Sequence, residues 1–212
     1  MIILLIYLKK WKLISKLKVR VKDVDALILI IAYLLGSIPS AYLIGKIFAK
    51  KDITKIGSGN VGTVNTIKNI GVLPGVLTFI LDAAKAIISV AIAKQFSKFE
   101  LIPYFASFFV ILGHNFSIFL KFKGGKGLAC LVGMLLTISP ITIIYLFGFI
   151  GILTLAFGKK VNAATGVGIF ILPVILYYQH APTEGVMISF LISLLVMYKN
   201  FDYIKDFLKK ET

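Results

Sequence analysis

Two short stretches of this sequence gather the residue types that hold an anion. The first is Gly57-Ser58-Gly59-Asn60-Val61-Gly62-Thr63-Val64-Asn65, with Lys68 three residues further on. Glycine reaches positive φ and allows close backbone approach, so successive N–H groups in such a loop can form an anion-binding concavity. Ser58 adds a hydroxyl, Asn60 and Asn65 add amides, and Lys68 adds charge. The spacing matches G-x-G-x-x-G, but the stretch follows an apolar run and lysines rather than a strand of a βαβ unit, so it is not a dinucleotide signature. A flexible polar loop is the plainer reading; the interleaved asparagines favour an anion site. The second stretch is Gly113-His114-Asn115-Phe116, followed by Lys121-Phe122-Lys123-Gly124-Gly125-Lys126-Gly127. It is not a Walker A loop, because Gly127 stands where Ser or Thr should follow the lysine. It does place Lys126 at a helix start, where N–H groups and the helix dipole favour an anion. His114 is a candidate general base, against its commoner role as a hydrogen-bonded packing residue.

Three further features are more ambiguous. Gly36-Ser37-Ile38-Pro39-Ser40 interrupts an apolar run. Such breaks at membrane depth line a cavity or packed protein, and close helix packing alone would also account for the small residues. Asp82 and Lys85 lie three apart and share a helix face; a structural ion pair and a catalytic role are equally open. Cys130 sits on an apolar helix and reads as packing. No Cys/His/carboxylate cluster has metal-ligand spacing, so no metal is expected, nor any other cofactor.

The elements that must position these residues are membrane helices. The 212 residues are 58% hydrophobic and carry a net charge of +15, with a mean hydropathy of +0.95. Soluble domains run at roughly 45–50% apolar including glycine. Strong apolarity with strong charge fits charge held in loops between spans. It excludes a soluble enzyme, a disordered tail and a disulfide scaffold, and it argues against a nucleic-acid partner despite the basic balance. Arg20 is the sole arginine, so an anion site in the core must rely on lysines, backbone N–H groups and hydroxyls.

A span needs about 20 apolar residues, fewer when it is short or buried among neighbours. The runs are 26–49, 71–93, 101–120, 127–139, 141–157, 161–178 and 185–198. Pro140 should break the long stretch 127–157 into a tight hairpin with short arms. The fold class is therefore all-α: a polytopic membrane helix bundle of about seven transmembrane helices. Alternating these spans gathers Lys46, Lys50, Lys51, Lys55, Lys68, Lys121, Lys123, Lys126, Lys159, Lys160, Lys199, Lys205, Lys209 and Lys210 on one side, against Lys94 and Lys98 on the other. The positive-inside rule makes the first side cytoplasmic, with the N-terminus outside and the C-terminus inside. Residues 1–25 form a basic N-terminal extension, interfacial or disordered, that conflicts with this orientation; it also lacks a signal-peptide pattern. Residues 26–204 form the membrane domain and 205–212 a basic cytoplasmic tail.

GSIPSAYLIGK, GSGNVGTVN and GHNFSIFLKFKGGKG, in this order and spacing, resemble the bacterial acyl-phosphate:glycerol-3-phosphate acyltransferase family (PlsY-type), over about residues 26–204. The resemblance implies a seven-helix enzyme of the bacterial inner membrane with its site facing the cytoplasm. Its substrates would be acyl phosphate and glycerol 3-phosphate, and its products lysophosphatidic acid and phosphate, without metal or CoA. Its partners would be those substrates and the lipid bilayer; no protein partner is implied. Carried over by position, His114 and Asn115 would organise the reacting groups, with Ser37 from the first motif. Gly57, Ser58, Gly59, Asn60, Gly62, Asn65, Lys68, Lys126 and Thr165 would hold substrate phosphate. The chain departs from the family pattern in several places. Lys68 and Thr54 stand where arginines are usual, Val64 replaces a Thr, and Asn162 and Thr165 replace serines. The tail pattern R-H-x-x-N-I-x-R reads Lys199-Asn200-Phe201-Asp202-Tyr203-Ile204-Lys205-Asp206. These departures are those of a divergent paralogue. They keep two alternatives open: a catalytically weakened binding subunit, and a small anion or lipid-phosphate transporter. The transporter lacks the internal repeat that such folds often show.

Overall fold

The structure, a computed structural model, describes residues 23–158 and 160–209. The expectations for 1–22, Lys159 and Lys210 fall outside the described residues. Ten α-helices carry the described chain: α1 Asp23–Ser37, α2 Ser40–Ala49, α3 Thr63–Asn69, α4 Val72–Phe96, α5 Ile102–Asn115, α6 Leu128–Ile138, α7 Ile141–Ala156, α8 Val161–Gly168, α9 Ile171–Tyr178 and α10 Thr183–Lys209. Each apolar run of the sequence holds helix. Among the described residues, three stretches are long and apolar enough to cross a membrane: Asp23–Ala49, Val72–Phe96 and Thr183–Asp206. A fourth results if α8 and α9, bent by 47° at their junction, make one span. The molecule is thus an all-α membrane bundle with three to four apolar spans. Helices α5, α6 and α7 are shorter, at 14, 11 and 16 residues. Helix α10 continues unbroken past Ile204 to Lys209, so residues 205–209 of the basic tail extend the last helix.

Most of the buried core lies among α4, α5, α6, α7, α9 and α10, where Val90, Val110, Ile111, Leu131, Leu135, Leu146, Leu172 and Ile192 are fully or nearly fully buried. The outer faces stay apolar: Ile30, Ile144, Ile152 and Leu155 are all exposed. An apolar exterior around a small-residue interior is the pattern of helices packed in lipid, where small residues let backbones approach. Two glycines make that approach between α1 and α5. A Cβ on Gly36 would lie 2.1 Å from the Val110 carbonyl oxygen, and one on Gly113 would lie 2.1 Å from the Tyr33 carbonyl oxygen.

The break expected at Gly36–Ser40 is present between α1 and α2. Pro39 carries no N–H to give the Leu35 carbonyl, which accepts from the Ile38 N–H at 3.2 Å. The Ile38 carbonyl at the break accepts from the Ser40 N–H at 3.1 Å and from the Lys85 ammonium at 2.9 Å. The break expected at Pro140 separates α6 from α7. The first glycine stretch reads as loop throughout in the sequence, yet Thr63–Asn69 is the short helix α3.

Candidate active site

The glycine loop is shaped by one asparagine. Gly57 and Gly59 adopt φ +57° and +67°, and a Cβ on Gly57 would lie 2.4 Å from Asn65 Oδ1. The buried Asn65 amide then fastens the loop from inside. Its Nδ2 donates to the carbonyls of Ile53, Ile56 and Asn60 at 3.3, 3.1 and 3.0 Å. Its Oδ1 accepts from the Ser58 N–H at 3.1 Å and from Asn69 Nδ2 at 2.9 Å. The N–H of Gly59 goes to Ile56 and that of Gly62 to Asn60, while the Asn60 N–H reaches Ser58 Oγ at 3.4 Å. These N–H groups are therefore engaged within the loop. The sequence suggests an open nest of N–H donors; with the N–H groups of Ser58, Gly59, Asn60 and Gly62 used within the loop, the cavity is bordered by the Ser58 and Asn60 side chains and by Thr63 and Val64 at the start of α3, where no side chain caps the helix. Upstream, Thr54 is also engaged: its N–H and hydroxyl donate to Asp52 at 3.0 and 2.6 Å, and the hydroxyl bond is the first cause holding the Asp52 carboxyl below its usual range.

Facing this loop is a cavity of about 440 Å³ lined by Gly57, Ser58, Asn60, Gly62, Asn65, Lys68, Asp82, His114, Lys126, Asn162 and Tyr203, among others. The second glycine stretch delivers Lys126 to it. Its shape depends on missing side chains. A Cβ on Gly124 would lie 2.1 Å from the His114 carbonyl oxygen, and one on Gly125 would lie 2.2 Å from His114 Nε2 and 2.6 Å from the Val61 carbonyl oxygen. The Gly125 N–H donates to the His114 carbonyl at 3.1 Å. The Lys126 ammonium donates to Asn162 Oδ1 at 2.8 Å and lies 3.7 Å from the centre of the Tyr203 ring, a cation–π contact. Its pKa is pushed down to about 8, first by burial and then by the Lys199 ammonium.

Asp82, which belongs to neither glycine stretch, also lines the cavity. Its Oδ1 lies 2.8 Å from Lys85 Nζ and 3.4 Å from His114 Nδ1. His114 is thus held between this carboxylate and the Gly124–Gly125 backbone. Asp82, His114 and Cys130 bring ligand-type atoms within 4.8 Å of one another, a grouping that sequence spacing hid. The Lys85 ammonium already neutralises that carboxylate, and Cys130 Sγ contacts the Asp82 carbonyl at 3.2 Å, so the trio reads as a packed ion-pair network.

Most residues expected at the site meet in this cavity: Gly57, Ser58, Asn60, Gly62, Asn65, Lys68, His114 and Lys126 all line it. Four do not. Gly59 is held in the loop behind it. Thr165 is buried and its hydroxyl donates to the Val161 carbonyl at 2.7 Å, while Asn162, one turn earlier on α8, takes the place at Lys126. Ser37 is fully buried beside a small pocket that shares Asp82 and His114 with the cavity, and its carbonyl accepts from Ser117 Oγ at 2.5 Å. Asn115 is fully buried behind His114, and its carbonyl accepts from Lys199 Nζ at 3.2 Å.

A family model described as glycerol-3-phosphate acyltransferase matches residues 26–210. The chain belongs to this family. The glycerol-3-phosphate acyltransferase 2 of Moorella thermoacetica is 35% identical over 169 residues, covering 80% of this chain and 86% of that one. The glycerol-3-phosphate acyltransferase of Enterococcus faecalis is 44% identical over 119 residues, covering 56% and 55%. The crystal structure of PlsY (YgiH), an integral membrane glycerol 3-phosphate acyltransferase, in its glycerol 3-phosphate form superposes with a TM-score of 0.79 at 31% identity, covering 88% of this chain and 92% of that one. Its lysophosphatidic acid form gives a TM-score of 0.77 over the same shares. Within this acyltransferase family, the chain's departures divide by position. Val64, Lys68, Asn162 and Tyr203 line the cavity. Asn200 is buried against α10 itself, donating to the Val196 carbonyl at 2.9 Å, and Asp206 is exposed.

Proposed function

We propose that this acyltransferase moves a fatty acyl group from acyl phosphate to the sn-1 hydroxyl of glycerol 3-phosphate, with its cavity open to the cytoplasm of a bacterial cell. The observation that carries the reading is the meeting of Lys126 and Lys68 with Ser58 and Asn60 in one cavity, in a member of a glycerol-3-phosphate acyltransferase family. Glycerol 3-phosphate places its phosphate between the two lysines, replacing the Tyr203 face as the partner of Lys126. Its hydroxyl oxygen attacks the acyl carbonyl carbon. The bond from that carbon to the phosphate oxygen breaks, phosphate leaves with the electron pair, and the hydroxyl proton passes to a phosphate oxygen. A mixed anhydride is reactive enough that the chain's task is to position two anions and neutralise the charge of the leaving group. His114, held by Asp82 on one side and by the Gly125 backbone on the other, fixes the wall of that site.

Membership of an acyltransferase family favours this reading over a transporter. The test is turnover by the purified chain with labelled glycerol 3-phosphate and each donor in turn. Acyl phosphate should support product formation and acyl-CoA should not. Equal turnover with acyl-CoA would overturn the donor, and no turnover with either would favour a binding subunit.

A further inference from the structure

Between α5 and the Gly124–Gly125 backbone, residues 117–123 form a knob whose side chains point the wrong way for water. Ile118, Phe119 and Phe122 are 48%, 60% and 61% exposed, and Lys121 and Lys123 between and beside them are exposed as well. Leu120 turns inward, against the cluster of Ala41, Ile53 and Val61, and Ser117 is buried at the base. The knob is held firmly. Ser117 Oγ donates to the Ser37 carbonyl at 2.5 Å, the Tyr33 hydroxyl to the Phe116 carbonyl at 2.9 Å, and the N–H of Phe122 to the Ser117 carbonyl at 2.8 Å. Its backbone is also strained. Lys121 and Phe122 sit at φ +54° and +60°, a left-handed region that non-glycine residues rarely adopt. Strain at two neighbouring residues keeps an aromatic ring and a lysine directed outward together.

Aromatic rings beside lysines are the side chains that settle at the headgroup level of a bilayer, and the positive charge complements anionic headgroups. We propose that residues 118–123 dock on the anionic surface of the surrounding membrane and thereby steady the adjoining Gly124-Gly125-Lys126 segment of the active site. The occupant is a lipid surface because the knob leaves directly from the end of a membrane helix and combines bulky apolar side chains with cations alone. The consequence for catalysis rests on the proposed function; the docking itself does not.

Two readouts separate these. The full chain with Trp11→Phe and Phe119→Trp is reconstituted in vesicles of phosphatidylcholine alone or mixed equally with phosphatidylglycerol. Tryptophan emission should shift to the blue and be quenched by brominated lipid, more strongly in the anionic vesicles. Acyl transfer should be faster in the anionic vesicles, by up to roughly fivefold per lysine engaged. High salt and the Lys121→Gln/Lys123→Gln pair should both remove the difference between anionic and neutral vesicles, and at fixed low salt the pair should leave the rate in neutral vesicles unchanged. Quenching without transfer in any vesicle would count against the acyltransferase reading and leave the docking standing. Equal emission with and without brominated lipid would overturn the docking. So would disulfide-linked pairs of a Phe122→Cys, Cys130→Ser chain, which would assign the knob to a second copy.

Discussion

In the proposed function, Lys126 is the side chain that meets the substrate phosphate. Burial and the nearby Lys199 hold its pKa at about 8, so its charge is present below that pH and lost above it. A substrate phosphate needs the charged form. The value of kcat/KM for glycerol 3-phosphate should therefore fall as pH rises through about 8, and Lys126→Arg should carry the plateau to higher pH. A profile that ignores this substitution would detach the limb from Lys126. Asp82 lies one step further back, its Oδ1 3.4 Å from His114 Nδ1, and we expect it to position that imidazole. Removing one partner of a buried ion pair costs about 3–5 kcal/mol, so Asp82→Asn should lower both thermal stability and kcat. Asp82→Asn/Lys85→Met removes both charges and should restore stability without restoring kcat. Recovery of kcat in the double variant would make the pair purely structural. The sequence places Asp82 and Lys85 on one helix face, but 32 residues separate Asp82 from His114 and no local pattern reports that approach. Asn65 illustrates a different limit. Its spacing suggests a ligand for phosphate, whereas its amide is spent on the loop's own carbonyls and N–H groups. Residue type reports hydrogen-bonding capacity, and only the fold reports which partners use it. Tyr203 shows a third case: an unusual residue at a matched tail position faces Lys126 directly. Tyr203→Asn and Lys68→Arg should each lower KM for glycerol 3-phosphate, and the pair can be non-additive if both reach one phosphate.

At the level of elements, helix breaks and glycine contacts decide where the side chains arrive. Gly36 and Pro39 announce the α1–α2 break, because a missing N–H and a missing Cβ are properties of the residues themselves. Pro140 announces the α6–α7 break for the same reason. The bend between α8 and α9 is marked by Gly168 and by Pro173, which has no N–H to give the Ile169 carbonyl, and Ser193 Oγ donates to that carbonyl at 3.0 Å. Because the run 161–178 is apolar on both sides of them, it reads as one span, and on its first helix Asn162 rather than Thr165 reaches Lys126. The tight α1–α5 crossing yields a contrast that can be measured. Gly36→Ala would press a methyl group into the Val110 backbone, and overpacking of this kind costs about 1–3 kcal/mol. A methyl group added at Gly148 or Gly151 on α7 would meet nothing within 4 Å, and alanine there should leave the thermal midpoint unchanged or higher. Equal losses at Gly36 and Gly151 would remove the close crossing from the account. Gly125→Ala should lower both stability and activity, since its methyl group would press on the Val61 carbonyl and displace the buried His114.

For the molecule as a whole, composition is informative because lipid imposes a single rule: apolar outside, with polar groups gathered where the bundle opens. The membrane character, the order of helices and the end at which the glycine loops meet are all readable from the apolar runs and the lysines between them. The number of full spans is less so, because several apolar helices are shorter than a bilayer is thick, and length alone does not say how each sits in it. We expect the site end to face the cytoplasm. Cysteines replacing Ser58 and Lys126 in a Cys130→Ser chain should react with an impermeant maleimide from the cytoplasmic side alone, and one replacing Thr183 from the outer side alone. Labelling of positions 58 and 126 from opposite sides would contradict a shared cavity. We propose that the phosphate of glycerol 3-phosphate rests on Lys126 within the cavity formed by the two glycine stretches. Steady-state kinetics of Lys126→Ala with acyl phosphate as donor test it most directly. Loss of one charge-assisted contact costs about 1.5–3 kcal/mol, so kcat/KM for glycerol 3-phosphate should drop roughly tenfold to a hundredfold; kinetics close to those of the unaltered chain would contradict the account.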